Sequence, residues 1–280
     1  MIGKVRELAK EWLTTKKVDA IFGLRKQNND VAPYLFTDVK ELKDLVLSID
    51  NRICFTVRPS KQNIVHLIQK NSPDMKIGII ARGCDERALI ELAKRFQIDL
   101  EKIEILGVAC TNKDAEECLC PIPYPKTIII GEKAEGVSLD KIKNVESLLG
   151  KTLEEKAAFW KEQLSKCIKC YGCRNVCPMC ICKECKLEED LWVKSGELPP
   201  DFPMYHFIRF YHMADRCIEC GQCEKACPAG IPLLTISKLV RKDVKELFDY
   251  EAGKDVEQES PLVTTLDETP LKEEAKDVAV

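Results

Sequence analysis

Two runs of four cysteines with identical spacing constrain this chain more than any other feature. Cys167, Cys170, Cys173 and Cys177 are followed by Pro178, and Cys217, Cys220, Cys223 and Cys227 by Pro228. Each run reads C-x2-C-x2-C-x3-C-P, the ferredoxin-type spacing for a [4Fe-4S] cluster. Three thiolates two residues apart can wrap one cube, while the fourth, followed by proline, turns toward the other. The spacing therefore assigns Cys167, Cys170, Cys173 and Cys227 to a first cluster and Cys217, Cys220, Cys223 and Cys177 to a second. Zinc sites are usually built from two C-x-x-C pairs and do not require eight cysteines in this order. Gly172 and Gly221 are the expected points of tight backbone beside the sulfide.

The chain has 280 residues and 16 cysteines, with 45% apolar residues. A core of that size needs no disulfide staples. No cationic and apolar leader with a small-residue cleavage site opens the sequence, so a reduced, cytoplasmic compartment is expected, with the thiols serving as metal ligands. No apolar run reaches the roughly 18 residues that a membrane span requires. The formal net charge of −3 offers no general attraction to a polyanion, which makes nucleic acid a poor partner.

Eleven of the cysteines fall between Cys167 and Cys227, which divides the chain in two. Residues 1–136 read as an α/β domain with a mostly parallel sheet. Helical spacing at Val5–Leu13, Val39–Ile49, Ile64–Ile68 and Glu86–Phe96 alternates with strand-like runs at Val18–Leu24, Ile53–Val57, Lys76–Ala81, Ile103–Ala109 and Thr127–Ile130. A polar linker is expected over 137–151. Thr152 and Glu155 have capping-box spacing and should start a helix that leads through Phe159 and Trp160 into the first cysteine run. Residues 152–250 then form a mainly α-helical dicluster domain. The aromatic segment Phe202–Ala214 is expected to cover a cluster, with His206 and His212 packed on its helix rather than ligating. Residues 251–280 carry nine acidic against three basic side chains and read as an acidic tail, extended or wrapped on a partner subunit.

Eight cysteines lie outside the two runs. Cys84 and Cys110 each follow an expected strand, and Cys118 and Cys120 lie in the next loop. Consecutive loops at the carboxyl edge of a parallel sheet converge, so these four are candidates for a third cluster. Cys180, Cys182 and Cys185 form a further group without a fourth partner in their own stretch, and Cys54 is their partner by elimination in a candidate additional metal site. No phosphate-binding glycine motif is present.

Two segments carry a family resemblance. Arg82-Gly-Cys-Asp-Glu-Arg-Ala-Leu-Ile-Glu91 and Ile105-Leu-Gly-Val-Ala-Cys110 resemble the beta subunits of coenzyme F420-reducing hydrogenases and dehydrogenases, formate dehydrogenases among them. Cys217-Ile-Glu-Cys-Gly-Gln-Cys-Glu-Lys-Ala-Cys-Pro-Ala-Gly-Ile-Pro232 is similar to the helical dicluster domain found in the C-type subunits of heterodisulfide reductases. The first resemblance implies an iron–sulfur cluster at Cys84, Cys110, Cys118 and Cys120. Family members with a complete flavin site have a much longer domain than the region before Gly150, so bound FAD is not the first expectation.

Together these readings imply an iron–sulfur electron-transfer subunit of an anaerobic complex. It would relay electrons between a heterodisulfide-reductase-like unit or ferredoxin, on one side, and a formate dehydrogenase, hydrogenase or flavin subunit, with no catalytic residue of its own. The alternative is a flavin-containing subunit that acts on a deazaflavin, with Arg82, Asp85 and Arg87 binding the cofactor. In the relay reading those charges form an internal ion pair that holds the cluster loop.

Overall fold

Helix α1 (Ile2–Thr14) turns Val5, Ala9 and Trp12 inward, the one-sided stripe that a period of 3.6 residues produces. In the computed structural model, which describes residues 1–51, 53, 56–57, 62–182 and 184–261, this stripe covers one face of a five-stranded sheet. Strands β1 (Ala20–Gln27) and β2 (Asp30–Phe36) form an antiparallel hairpin. Its two-residue turn places Asn28 at φ 55°, a left-handed conformation that asparagine tolerates well. The far end of β1 also pairs antiparallel with β3 (Leu45–Val46). A short antiparallel pair, β4 (Thr56–Val57) and β5 (Gln62–Asn63), precedes helix α2 (Ile64–Asn71). The start of β1 pairs in parallel with β6 (Ile77–Ala81), and β6 in parallel with β7 (Ile103–Gly107).

The sheet is therefore mixed, in the order β2-β1-β6-β7 with β3 also on β1, where a mostly parallel sheet was expected. The physical reason lies in β1. Its pairing with β6 ends at Phe22–Ile79, which leaves the backbone of Leu24 and Arg25 to be matched by Val46 and Leu45. That pairing shortens the helix expected over Val39–Ile49 to a single 3-10 stretch, Val39–Asp44. The strand expected at Thr127–Ile130 contributes one parallel bridge, Val108 to Ile130. The run Ile53–Val57 falls largely outside the described residues.

Strand β6 is buried along its whole length because helices cover both faces. Ile80 packs with α1, and Ile77 and Ile79 pack with Ala88, Leu89 and Leu92 of α3 (Gly83–Lys94). Helix α4 (Asn112–Glu117) follows β7. The expected linker contains α5 (Lys143–Leu149), whose Val145 and Leu148 are buried. The capping box at Thr152 and Glu155 starts α6 (Leu153–Leu164) as expected. Helices α7 (Gly172–Asn175), α8 (Met204–Tyr211), α9 (Gln222–Lys225) and α10 (Leu233–Phe248) complete the second half.

The halves share a core, for Met179, Met213 and Ile218 pack in one cluster with Phe22, Ile79 and Leu89. They also share a buried polar network. Glu91 of α3, fully enclosed, pairs with Lys94 and Arg95 and accepts hydrogen bonds from Tyr250 Oη (3.0 Å) and the Gly253 amide (2.6 Å). Arg95 in turn reaches Asp215 Oδ2 at 2.7 Å, which also accepts from Ser260 Oγ at 2.6 Å. Residues 251–261, expected as the start of a tail, are thus folded onto α3 with Ala252 and Ser260 buried. The remainder, 262–280, lies outside the described residues.

Candidate iron–sulfur site

Both ferredoxin-type runs fold in the same way. In the first, Lys169 and Tyr171 have φ of 51° and 58°, and in the second Glu219 and Gly221 have φ of 54° and 74°. The left-handed residues stand at matching positions, and each run ends in one short helical turn, α7 or α9. Alternating handedness aims successive backbone N–H groups into one concavity, an anion-binding nest. The Gly172 amide donates to Cys170 Sγ at 3.4 Å, and the amides of Lys169 and Glu219 donate to the sulfurs of Cys167 and Cys217. Gly221 occupies the expected strained position, but its counterpart is Tyr171 rather than Gly172. Gly172 is needed for close approach instead, since a Cβ there would stand 3.0 Å from the Ala226 carbonyl oxygen.

The last cysteine of each run has thiols of the other run as neighbours. Burial pushes the Cys167 thiol above its ordinary value, and the neighbouring thiols of Cys173, Cys227 and Cys170 push the same way. Cys173 is raised by burial and by Cys170 and Cys227. Burial raises Cys223 strongly, with Cys220, Cys217 and Cys177 adding to it, and Cys217 likewise has Cys177 as a neighbour. Thiols packed into one another's field and away from water can all deprotonate only around a positive centre, which is what iron supplies. Among the described residues, no three His, Cys, Asp or Glu side chains are arranged to hold a single metal ion. A single zinc draws its ligands to about 2.0–2.3 Å, whereas a cube spreads them over separate irons. The donor set fits a [4Fe-4S] cluster better than zinc.

Apolar side chains enclose these sulfurs. Phe210, Leu164, Ile231 and Leu233 pack against Cys167, Cys173, Cys223 and Cys227, and Tyr205 lies edge-on to Tyr171 with 5.9 Å between ring centres. The aromatic helix α8 is the cover expected from sequence. It also carries Arg209, which sequence reasoning overlooked. This buried guanidinium donates from Nη2 to the Cys173 carbonyl at 2.9 Å, and its charge acts on Cys177, Cys173, Cys180 and Cys223. A lone cation at the buried spacing of an aromatic helix was the signal available for it.

The histidines of α8 differ. His206 is enclosed, packs edge-on against Tyr205, and has no hydrogen-bond partner at Nδ1. Burial lowers its pKa to about 4. Its ordinary value of 6.5 applies in the unfolded chain, so between pH 6.5 and 4 the unfolded chain binds a proton that the folded chain excludes. Stability should fall across that window as pH decreases, by roughly 3 kcal/mol in total. In His206→Phe the denaturant midpoint should decline less steeply over the same window. An unchanged slope would contradict the burial. His212 instead points Nε2 at Cys182 Sγ, 3.2 Å away.

In the α/β half, Cys84 is the second residue of α3 and is buried, Cys110 follows β7, and Cys120 lies buried in the next loop. Burial raises Cys110 to about 12, with Cys84 and Cys120 pushing the same way and Arg82 opposing. Burial also raises Cys120, opposed by Arg87, whose Nη2 lies 3.8 Å from the sulfur. These three thiols meet. Cys118 caps the carboxyl end of α4, its carbonyl oxygen 3.9 Å from a Cβ built at Gly221 of the second run. The loop of the third group thus abuts the second ferredoxin-type run, where Lys225 also reaches Asp50 at 3.1 Å.

Arg82, Asp85 and Arg87 work within the protein. Arg82 Nε bonds Asp85 Oδ2 at 2.8 Å and its Nη2 donates to the Asn51 carbonyl at 2.7 Å, with Arg82 and Asp85 both buried. Arg87 Nη1 donates to the Ile122 carbonyl at 2.9 Å. Cys180 is buried, Cys182 and Cys185 are half-buried, and Cys54 lies outside the described residues. No helix among the described residues is long and apolar enough to cross a membrane.

Comparison with known proteins agrees with this chemistry. Residues 209–232, spanning the second run, match the family described as "4Fe-4S binding domain". The beta subunit of the F420-dependent formate dehydrogenase of Methanocaldococcus jannaschii is 27% identical, with 90% of this chain and 92% of the relative aligned. That alignment is longer than this chain, so the relative carries inserted sequence absent here. The beta subunit of F420-dependent formate dehydrogenase 1 of Methanococcus maripaludis is 42% identical over 53% of this chain, which spans only 38% of that protein. An iron-sulfur subunit of the CoB--CoM heterodisulfide reductase of M. jannaschii is 30% identical over 41% of this chain and 18% of its own length. The chain is an iron–sulfur electron-transfer subunit of the kind found in oxidoreductase complexes, related to the beta subunits of F420-dependent formate dehydrogenases.

Proposed function

We propose that the chain relays electrons through three [4Fe-4S] clusters. Cys167, Cys170, Cys173 and Cys227 would hold the first, Cys217, Cys220, Cys223 and Cys177 the second, and Cys84, Cys110, Cys118 and Cys120 the third. The observation that carries the reading is the crossed grouping, in which Cys177 neighbours Cys217 and Cys223 while Cys227 neighbours Cys167 and Cys173. The third group beside Gly221 supports a continuous line of sites through the molecule. A bound cluster takes up and releases one electron at a time. The chain's own residues set the conditions. Phe210, Leu164 and Ile231 exclude water, the nest amides donate to sulfur, and Arg209 places a positive charge between the first two groups. The names of the relatives support a larger redox complex, in which the chain would stand between a formate dehydrogenase, hydrogenase or flavin subunit on one side and a heterodisulfide-reductase-like unit or ferredoxin on the other.

Arg209 provides the test. A cation beside a cluster favours the reduced form. At an effective dielectric near 20 its removal should cost about 1–3 kcal/mol of that preference, or about 40–130 mV for a one-electron couple. Redox titration followed by EPR should show both ferredoxin-type clusters at lower potential in Arg209→Met, with Arg209→Lys between it and the parent. Unchanged potentials in a variant that keeps its iron would overturn the placement of the two clusters around this helix.

A further inference from the structure

On helix α3, Cys84 and Arg87 stand three residues apart and share a face. The Arg87 guanidinium leaves that face as a fork. Its Nη1 donates to the Ile122 carbonyl at 2.9 Å, and its Nη2 lies 3.8 Å from Cys120 Sγ. One side chain thus ties the loop carrying Cys120 to the helix carrying Cys84. The stem of Arg87 is held from behind by the folded segment that follows α10. Gly253 there has φ 74°, and a Cβ on it would stand 2.6 Å from Arg87 Cα, so only glycine lets the segment pass this close. A cleft of about 160 Å³ is lined by Arg87 together with Cys217 and Glu219 of the second run. Arg87 is therefore a cation placed between the third group and the second run.

We propose that Arg87 is a positioning residue of the third cluster, which holds Cys120 in place and, by its charge at that sulfur, sets how readily the cluster exchanges an electron with the second. The proposal rests on the three-cluster reading above. Its charge is directed at thiols. Cys120 and Cys84 act on Arg87 ahead of Glu219, and Glu219 is itself paired with Lys238 Nζ at 3.3 Å. Arg82 and Asp85, by contrast, satisfy each other. The sequence offered Arg87 as a flavin or deazaflavin ligand, or as part of an internal ion pair, and the geometry directs it to a carbonyl and a sulfur instead. Four thiolates make a cluster anionic, and reduction adds one more negative charge. A guanidinium in contact with a ligand sulfur stabilises that added charge. The bond to Ile122 keeps the charge from swinging away, and arginine stays protonated at every working pH. The electron passes to or from the second cluster, and no bond in the chain forms or breaks.

The test uses the full chain, reconstituted anaerobically with ferrous iron and sulfide, and takes as the third cluster's EPR signal the one absent from Cys84→Ala. Arg87→Met keeps the stem that packs on Gly253 and removes the charge. In a redox titration its ratio of reduced to oxidised third cluster at a fixed potential should fall about tenfold, a shift of about 59 mV for a one-electron couple, while the first cluster's signal stays in place. Arg87→Lys keeps the charge and should stay within about threefold of the parent ratio. It should release the third cluster's iron to a chelator faster, because an ammonium lacks the fork that spans Ile122 and Cys120. A merely structural role would change iron release and leave the potential alone. Unchanged potential in an Arg87→Met chain that keeps its iron would overturn the proposal, as would an equal shift of all three clusters. If Arg87→Met cannot hold the third cluster, Arg87→Lys decides: a cluster kept at the parental potential supports the assignment, and its loss there too overturns the role of the charge. A Cys84→Ala chain that keeps every iron would instead overturn the third cluster itself and leave the ferredoxin-type pair standing.

Discussion

Cys177→Ala is expected to abolish the cluster of the second cysteine run, not that of the run in which Cys177 stands. Its neighbours in space are Cys217 and Cys223, although about forty residues of chain separate it from them. The variant should lose about four irons, and its remaining EPR spectrum should match that of Cys220→Ala. Cys227→Ala should conversely match Cys170→Ala, because Cys227 neighbours Cys167 and Cys173. The comparison needs no prior assignment of either signal, since Cys170 and Cys220 each lie at the centre of one run. If Cys177→Ala matched Cys170→Ala, each run would be closed on itself, and the reason for folding the runs face to face through α7 and α9 would vanish.

The largest expected effect on stability is at Glu91. Its carboxylate is wholly enclosed, pairs with Lys94 and Arg95, and accepts from Tyr250 and Gly253. Removing one partner from a buried charge group leaves the others desolvated without compensation, at a cost of about 3–5 kcal/mol. Glu91→Gln should lower the unfolding midpoint by about 10 °C. The exposed pair Lys242–Glu246, 2.8 Å apart, is the control, since Glu246→Gln should cost less than about 1 kcal/mol. The network ties α3, whose second residue is Cys84, to Asp215, two residues before Cys217. Glu91→Gln should therefore also loosen iron retention in both halves. Equal, small shifts in the two variants would contradict this account of how the halves are joined.

What could be read from the residues followed physical range. The ferredoxin-type runs are local, so their spacing alone carried the iron–sulfur chemistry. Strand β6 was legible because a short apolar run buried on both faces has few alternatives, and β7 because Ile103, Ile105 and Leu106 are β-prone apolar residues in one short run. The hairpin at Asn28-Asn29 was available as a turn signal but was obscured by Pro33, which is tolerated because β2 is an edge strand. The 3-10 stretch at Val39–Asp44 depends on the unpaired end of β1, a tertiary fact. In the expected linker, Ile142, Val145 and Leu148 stand three residues apart, and all three are buried, a helical spacing hidden by polar neighbours. Arg209 escaped because its hydrogen-bond partner, the Cys173 carbonyl, lies 36 residues away. Residues 251–261 escaped because acidic composition concealed the two groups, Tyr250 and Gly253, that close over Glu91.

The most direct test of the relay is a joint count of iron, acid-labile sulfide and zinc in anaerobically purified chain, with its visible absorbance followed through reduction and reoxidation. The account predicts at least about eight irons and eight sulfides per chain from the two ferredoxin-type runs alone, with absorbance that bleaches on reduction and returns on reoxidation. Stoichiometric zinc without sulfide, or iron whose absorbance does not change with potential, would contradict it.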